Sequence, residues 1–210
     1  MNLITESTTI PRLLRNVVNH IHPENSTFLI HKVKDTWEEI SYQEVLHKAD
    51  AISCYLLEMG VQKGDRCALI IENSPDYVFY DQGIQQIGAV NVSIYPTLAE
   101  NEIEYILKDS GARTLLIGNP FLFRKILKIA NDCPALERLI PVFDDYEKFL
   151  VNINLNAGVL NFKALILEGE AGIAHYKTKL NQLRDQVLPS DLSSLIYTSG
   201  TTGIPKGVML

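Results

Sequence analysis

The stretch Ser194–Gly207 holds the residues whose types and spacing are best suited to chemistry. It reads SLIYTSGTTGIPKG, an apolar strand pattern that runs into a loop of hydroxyl residues and glycines and then reaches Pro205 and Lys206. Glycine lets the backbone approach a ligand closely, so that successive N–H groups can point at phosphate oxygens. The hydroxyl groups and the lysine add donors and a positive charge. The stretch therefore predicts a loop that binds a polyphosphate.

The spacing of this loop differs from that of a Walker A motif. Lys206 follows Pro205 where Walker A has glycine, and it precedes Gly207 where Walker A has serine or threonine. An ordinary P-loop NTPase is therefore disfavoured. A flexible linker rich in serine, threonine and glycine is the alternative, but the position directly after a buried-type strand favours phosphate binding.

The composition indicates a folded protein that acts on small molecules. The 210 residues are 46% hydrophobic and 21% charged, with a net charge of −6 and no block of like charges, so a nucleic-acid surface is not expected. No apolar run approaches the roughly 18 residues of a membrane span. Residues 1–9 contain an acid and no basic residue, so we do not expect a secretory signal there. We expect a cytoplasmic protein, with peripheral membrane contact left open. Cys54, Cys67 and Cys133 are too far apart for a zinc motif and fit reduced core thiols.

The elements that must position the loop follow from hydrophobic periodicity. A helix over 10–21 precedes a hairpin whose strands cover 27–33 and 36–41, and Ser41 with Glu44 begins a helix that ends near Met59. Four short apolar runs then alternate with helices as far as residue 143. This alternation predicts a doubly wound α/β fold, with a mostly parallel sheet and flanking helices.

Two details of this pattern are specific enough to check. Thr97 and Glu100 have the spacing of a capping box at the start of a helix that stops at Gly111. The segment from Asp144 to Pro189 is polar and weakly periodic, and we expect short helices there. The phosphate loop leaves the carboxyl end of a strand, where ligands bind in such sheets.

The loop resembles, nearly letter for letter, the YTSGTTGxPKG signature of the adenylate-forming superfamily, which includes acyl-CoA synthetases, peptide-synthetase adenylation domains and luciferases. The order of Trp37, Ser41, Tyr42 and Glu44 is similar to a segment of acyl-CoA synthetases. Two further segments resemble long-chain fatty acyl-CoA synthetases in particular. They are Gly88-Ala89-Val90 with Tyr95-Pro96-Thr97, and Phe162 with Leu165 and Gly169.

The resemblance implies an enzyme that uses MgATP to convert a fatty acid to an acyl-adenylate and pyrophosphate and then transfers the acyl group to coenzyme A. By position, the residues that would hold the β- and γ-phosphates are Thr198, Ser199, Gly200, Thr201, Thr202, Gly203 and Lys206. Thr198 would also help to place Mg²⁺. The resemblance places no catalytic residue within this chain.

The resemblance also implies that residues 1–210 form an incomplete N-terminal AMP-binding domain, the first part of the large domain of such an enzyme. It would comprise a helix and hairpin (1–41), a parallel α/β unit (42–145), a helical connector (146–190), and the strand with its phosphate loop (191–210). The small C-terminal domain would be absent, and we expect the 210-residue chain to be inactive alone.

Three other functions stay open. The chain could act as a stand-alone module that binds a nucleotide or a partner without catalysis. It could belong to an adenylate-forming enzyme that activates amino acids or aryl acids. An unrelated phosphotransferase would release ADP, whereas adenylation releases pyrophosphate and ends in AMP.

Overall fold

The structure, a computed structural model, describes residues 8–20, 25–198 and 205–210. Tertiary contacts divide the chain into two units. The helical unit comprises the chain up to Lys63 together with Asn73–Gly88 and Ile166–Asp191. The sheet unit comprises Gly64–Glu72, Ala89–Leu165 and Leu192–Leu210. The sequence therefore passes several times between the two units.

The described part of the helical unit contains one antiparallel hairpin and four helical segments. The hairpin strands are β1 (Thr27–Val33) and β2 (Thr36–Ser41). The helices are α1 (Ile10–His20), α2 (Tyr42–Glu58), α3 (Pro75–Gln86) and, from Ile166 onward, α6 (Phe162–Gln186).

Local sequence signals explain where these helices begin. The hydroxyl of Ser41 accepts a hydrogen bond from the backbone N–H of Glu44 at 3.1 Å, which caps α2 as the sequence predicts. Ser74 caps α3 in the same way, and Pro75 fills the first helical position. Both helices therefore begin where the capping residues predict.

Close approach between helices depends on glycine at two positions of this unit. Gly83 of α3 faces Ile52 of α2, and a Cβ built on Gly83 would lie 2.5 Å from the Cγ2 atom of Ile52. Gly169 of α6 lies closer still, since a Cβ there would be 2.0 Å from the carbonyl oxygen of Ala51. The backbones of α2, α3 and α6 can pack this closely only because these two residues have no side chain.

The sheet unit is built on seven strands in the order β7-β6-β5-β3-β4-β8-β9. The strands are β3 (Arg66–Ile70), β4 (Val90–Ser93), β5 (Thr114–Ile117), β6 (Arg138–Pro141), β7 (Gly158–Val159), β8 (Ser194–Thr198) and β9 (Lys206–Met209). All neighbouring strands are parallel except β8 and β9. The predicted α/β fold with a mostly parallel sheet and flanking helices is confirmed.

Two helices of the sheet unit connect these strands, α4 (Glu100–Ser110) and α5 (Pro120–Ile129). Short 3₁₀ turns cover Ala130–Asp132 and Tyr146–Phe149. Strand residues such as Leu115 are fully buried, and they pack in one apolar cluster with helix residues such as Ile106 and Phe123. Because the strands are short and buried, they read in the sequence as continuous apolar runs.

Two predictions about local structure are wrong. Helix α4 begins after Ala99, and the Glu102 side chain accepts from the Ala99 backbone N–H at 2.8 Å, so Thr97 and Glu100 do not form the capping box. Most of the segment from Asp144 to Pro189 forms a single helix of 25 residues, not several short ones. Its polar residues obscure the periodicity, although α6 buries Leu165, Ile166, Leu180 and Arg184.

Across the described ranges, no helix combines the length and the apolar character that a membrane crossing requires.

Candidate functional site

Strands β8 and β9 bring together the two ends of the predicted phosphate loop. Thr198, the last residue of β8, pairs with Lys206, the first residue of β9. The side chains of both residues are exposed. No carboxylate of the described chain lies within salt-bridge distance of Lys206. A hydroxyl donor and a positive charge are thus available to a ligand at adjacent strand positions.

The direction of β8 decides which edge of the sheet carries these groups. β8 runs parallel to β4, β4 runs parallel to β3, and β3 runs parallel to β5. Thr198 therefore lies at the same edge as the carboxyl ends of the other parallel strands. Ligands of open α/β sheets bind beyond that edge.

Only two of the predicted site residues, Thr198 and Lys206, are placed by the structure. The others lie outside the described residues; they are Ser199, Gly200, Thr201, Thr202 and Gly203. Their contacts with a phosphate remain predictions from the sequence.

Tyr197 holds the carboxyl end of β8 in place, and sequence reasoning assigned it no role. Its ring is buried, and its hydroxyl donates to the Asp109 carboxylate of α4 at 2.6 Å. Burial and this carboxylate raise the pKa of Tyr197, so the phenol keeps its proton well into the alkaline range. The bond ties the strand end beside Thr198 to α4.

Gly207 completes this anchor from the opposite strand. It pairs with Tyr197, and a Cβ built on Gly207 would lie 3.2 Å from the ring carbon Cζ of that tyrosine. A larger residue would press against the ring that positions Thr198. The pair follows from the strand register, since pairing Thr198 with Lys206 places Tyr197 opposite Gly207.

A second polar pair lies between the carboxyl ends of β3 and β5. The Nδ2 amide of Asn119 donates to the Glu72 carboxylate at 2.8 Å, while its Oδ1 accepts from the Leu122 N–H and caps α5. From β3 the chain continues to β4 on one side, and from β5 it continues to β6 on the other. Crevices at such reversals of strand order bind ligands. Sequence reasoning missed this pair because Glu72 and Asn119 are 47 positions apart.

The structure shows the protonation state of the three cysteines and whether acidic, histidine and cysteine side chains cluster as metal ligands. Burial raises the pKa of Cys54 and Cys133 to about 11 and that of Cys67 to about 12, so all three are protonated thiols at neutral pH. The described ranges contain no group of three or more histidine, cysteine, aspartate or glutamate side chains arranged to hold a metal ion. Mg²⁺ in phosphate sites is usually held by one or two carboxylates together with phosphate oxygens and water. Thr198 offers only an exposed hydroxyl, so its role in placing Mg²⁺ stays a prediction from the sequence.

Curated proteins from several organisms resemble this chain in sequence. A long-chain-fatty-acid–CoA ligase of Rattus norvegicus (ACSBG1) is 32% identical over 186 residues, which cover 89% of this chain and 24% of the relative. Fatty acyl-CoA synthetase A of Dictyostelium discoideum is 32% identical over 177 residues, which cover 81% of this chain and 24% of the relative. The chain thus spans about a quarter of the length of these relatives.

A solved structure resembles the whole fold. The A-PCP didomain of a carboxylic acid reductase from Segniliparus rugosus, solved in complex with AMP, matches 99% of this chain with a TM-score of 0.75. The match covers 32% of that chain at 20% sequence identity, so it shows the fold alone.

The sequence model of the family described as AMP-binding enzyme matches residues 17–210, which is most of the chain and includes the phosphate loop. Together with relatives at 32% identity, this match shows that the chain belongs to the AMP-binding enzyme family.

Proposed function

We propose that this chain supplies the phosphate-binding part of an ATP-dependent acid–thiol ligase. In this reaction the carboxylate of a fatty acid attacks the α-phosphorus of ATP, which yields an acyl-adenylate and pyrophosphate. The acyl group then passes to the thiol of coenzyme A and AMP leaves. The observation that carries the proposal is the pairing of Thr198 with Lys206, both exposed, at the carboxyl edge of the sheet.

The chemistry of these two groups suits the proposed step. Attack on the α-phosphorus builds negative charge on the departing pyrophosphate, and positioned donors or cations stabilise that charge. Lys206 supplies a positive charge and Thr198 a hydroxyl donor. In the proposal Ser199, Gly200, Thr201, Thr202 and Gly203 add their donors to the same β- and γ-phosphates. Mg²⁺ bound beside Thr198 would neutralise part of the phosphate charge.

The proposed substrate is a long-chain fatty acid. Support comes from the names of the two relatives, one a long-chain-fatty-acid–CoA ligase and the other a fatty acyl-CoA synthetase. Activation of an amino acid or an aryl acid is the alternative within the family. Pyrophosphate exchange with acids of graded length, measured on the full-length protein, distinguishes them. A response to amino acids or aryl acids alone would overturn the choice of substrate.

We further propose that the 210-residue polypeptide binds ATP without completing the reaction, because it spans 24% of the length of the ligases it resembles. In the same proposal, residues 42–145 form the parallel α/β unit, 191–210 the strand and phosphate loop, 1–41 an N-terminal helix and hairpin, and 146–190 a connector. A cytoplasmic location fits the use of ATP and coenzyme A.

Isothermal titration of the 210-residue polypeptide with MgATP tests the proposed site. Lys206→Ala should weaken binding by about tenfold or more, because a hydrogen bond to a charged group contributes roughly 1.5–3 kcal/mol. Lys177→Ala is the matched control, since Lys177 is an exposed lysine of α6. Equal affinities for the two variants would contradict the proposal. Release of ADP on incubation with ATP would favour a phosphotransferase instead.

A further inference from the structure

A second cationic site lies within the helical unit. A cavity of about 380 Å³ opens between α1 and the C-terminal end of α6. Its lining includes Arg12, Arg15, Asn16, Asn181, Arg184 and Asp185. We refer to it as the arginine pocket. Its volume lies in the range of small-molecule sites, and none of its residues belongs to the phosphate loop.

The arginines of the pocket outnumber the carboxylates that neutralise them. A single oxygen of Asp50, Oδ1, accepts from Arg15 at 2.7 Å and from Arg184 at 2.5 Å. Arg12 donates to the backbone carbonyl of Asp185 at 2.7 Å and forms no ion pair within the described chain. With the Asp185 carboxylate counted as well, three guanidinium groups face two carboxylates. The pocket therefore carries a positive charge that attracts an anion.

Several donors of these arginines have no acceptor among the residues that the structure describes. A guanidinium has five N–H donors, and Arg12 uses one of them within the described chain. The Nε atom of Arg15 is buried and has no hydrogen-bond partner among the described residues. An unsatisfied buried donor is costly, and a ligand oxygen that reaches these side chains would reduce that cost.

Arg184 differs from Arg12, since each of its three side-chain nitrogens donates to a protein group. It is 6% exposed and donates to Gln86, Asn181 and Asp50. Burial lowers its pKa to about 10, and the positive charge of Arg15 acts in the same direction. Arg184 thus adds a fixed positive charge to the pocket while Arg12 keeps its donors available. An anion in the pocket would offset the repulsion between Arg15 and Arg184.

We propose that the arginine pocket binds a phosphate group, with Arg12 as its direct contact and Arg15 and Arg184 supplying positive charge. The planar fork of a guanidinium matches the oxygens of a phosphate in a bidentate geometry. The amides of Asn16 and Asn181 offer further donors in the same lining. The Asp185 carboxylate lies in the same lining and opposes anion binding, so the three guanidinium groups must outweigh it.

The phosphate could come from solution or from a lipid headgroup, and the chemistry of recognition is the same. Ile10 and Leu13 of α1 are 40% and 37% exposed on either side of Arg12 in the sequence, which would suit a lipid surface. The experiment below distinguishes the two sources by whether binding requires vesicles. Soluble phosphate binds without vesicles, whereas a headgroup site requires them.

Isothermal titration of the 210-residue polypeptide with inorganic phosphate and with pyrophosphate, without magnesium, tests the soluble source. Co-sedimentation with phosphatidylcholine vesicles, with and without phosphatidic acid, tests the lipid source. Arg12→Gln should weaken the binding that is found by about tenfold. Arg124→Gln should leave it unchanged. Arg124 is the matched control because it also donates to a backbone carbonyl, that of Pro120, and lies outside the pocket.

Lys206→Ala distinguishes this proposal from the phosphate loop. Phosphate binding that survives Lys206→Ala and is lost in Arg12→Gln supports the arginine pocket whether or not the loop binds ATP. Binding that is lost in Lys206→Ala and kept in Arg12→Gln would overturn the pocket and leave the loop intact. Failure to bind either anion at millimolar concentration, with no effect of phosphatidic acid, would overturn it as well. Circular dichroism of Arg12→Gln establishes that the variant is folded.

Discussion

Two buried polar side chains, Gln86 in the helical unit and Ser110 in the sheet unit, find their hydrogen-bond partners in different ways. In the helical unit, Gln86 of α3 accepts from Arg184 of α6 at 2.7 Å and from Arg15 of α1 at 2.9 Å, and it donates to Ser53 of α2 at 3.2 Å. In the sheet unit, buried Ser110 donates to the carbonyl of Ile106, one turn earlier in its own helix. Gln86 thus joins four helices of its unit, whereas Ser110 is satisfied within its own helix.

This difference suggests what specifies each arrangement. Apolar packing tolerates some sliding of helices, whereas a hydrogen-bond network has few satisfied arrangements. The helical unit also depends on backbone contact at Gly169, which permits no added atom. The sheet unit is instead aligned by strand pairing and filled by aliphatic side chains. We therefore expect the free energy of unfolding to fall most when a buried side chain of the sheet unit is shortened. In the helical unit we expect it to fall when an atom is added between the helices.

The largest effect is expected from loss of volume in the sheet unit. Leu115→Ala in β5 removes a fully buried side chain and should lower the free energy of unfolding by about 2–5 kcal/mol. Leu167→Ala is the matched control, because Leu167 is 67% exposed and its loss leaves no cavity. Urea denaturation followed by circular dichroism measures both. Equal losses in the two variants would show that the buried apolar cluster does not dominate the stability of the sheet unit.

A somewhat smaller effect is expected from added volume in the helical unit. Gly169→Ala places a methyl group 2.0 Å from the carbonyl oxygen of Ala51, and α6 must shift away from α2. Overpacking of this kind costs about 1–3 kcal/mol. Gly172→Ala is the control in the same helix, since its Cβ would lie 3.5 Å from Cys54. This change should stabilise the protein slightly, because alanine favours a helix over glycine by up to about 1 kcal/mol. Two variants that destabilise alike would contradict the close approach at Gly169.

The sequence predicts local elements well where short-range chemistry decides them. Ser41 and Asn119 cap the predicted helices, and Gly111 ends α4 with a positive φ of 61°. Thr97 misled the prediction because a capping box requires only a hydroxyl and an acid three positions apart, and Ala99 with Glu102 forms half of the same motif without a hydroxyl. Local signals therefore identify an element more reliably than its first residue.

Contacts between distant residues could not be predicted in this way. Helix α6 carries buried Arg184 among its apolar residues, which weakens the periodicity that would have revealed one long helix. The structure makes Thr198 the last residue of β8 and pairs it with Lys206 of β9, whereas the sequence predicted a strand that runs into a loop containing both residues. The sequence could not predict the bond between Tyr197 and Asp109, because those residues are 88 positions apart and meet only when β8 joins the sheet.

The smallest of these effects, and one that separates the phosphate-loop anchor from the rest of the sheet unit, is expected at Tyr197. Tyr197→Phe keeps the buried ring but removes the hydroxyl that donates to Asp109. This should cost about 1 kcal/mol near neutral pH, less than a buried bond to a charged group, because Asp109 is exposed to solvent. The folded protein raises the pKa of this phenol, so its contribution is complete below the unfolded value of about 10. As the pH rises above about 10, the unfolded chain loses this proton while the folded one retains it, and wild type should lose stability relative to Tyr197→Phe.

Urea denaturation across that pH range measures the difference. Tyr176→Phe, which removes a surface hydroxyl bonded to Glu58, should cost less at neutral pH. A difference between wild type and Tyr197→Phe that stays constant through pH 10 would mean that the bond to Asp109 does not hold the proton.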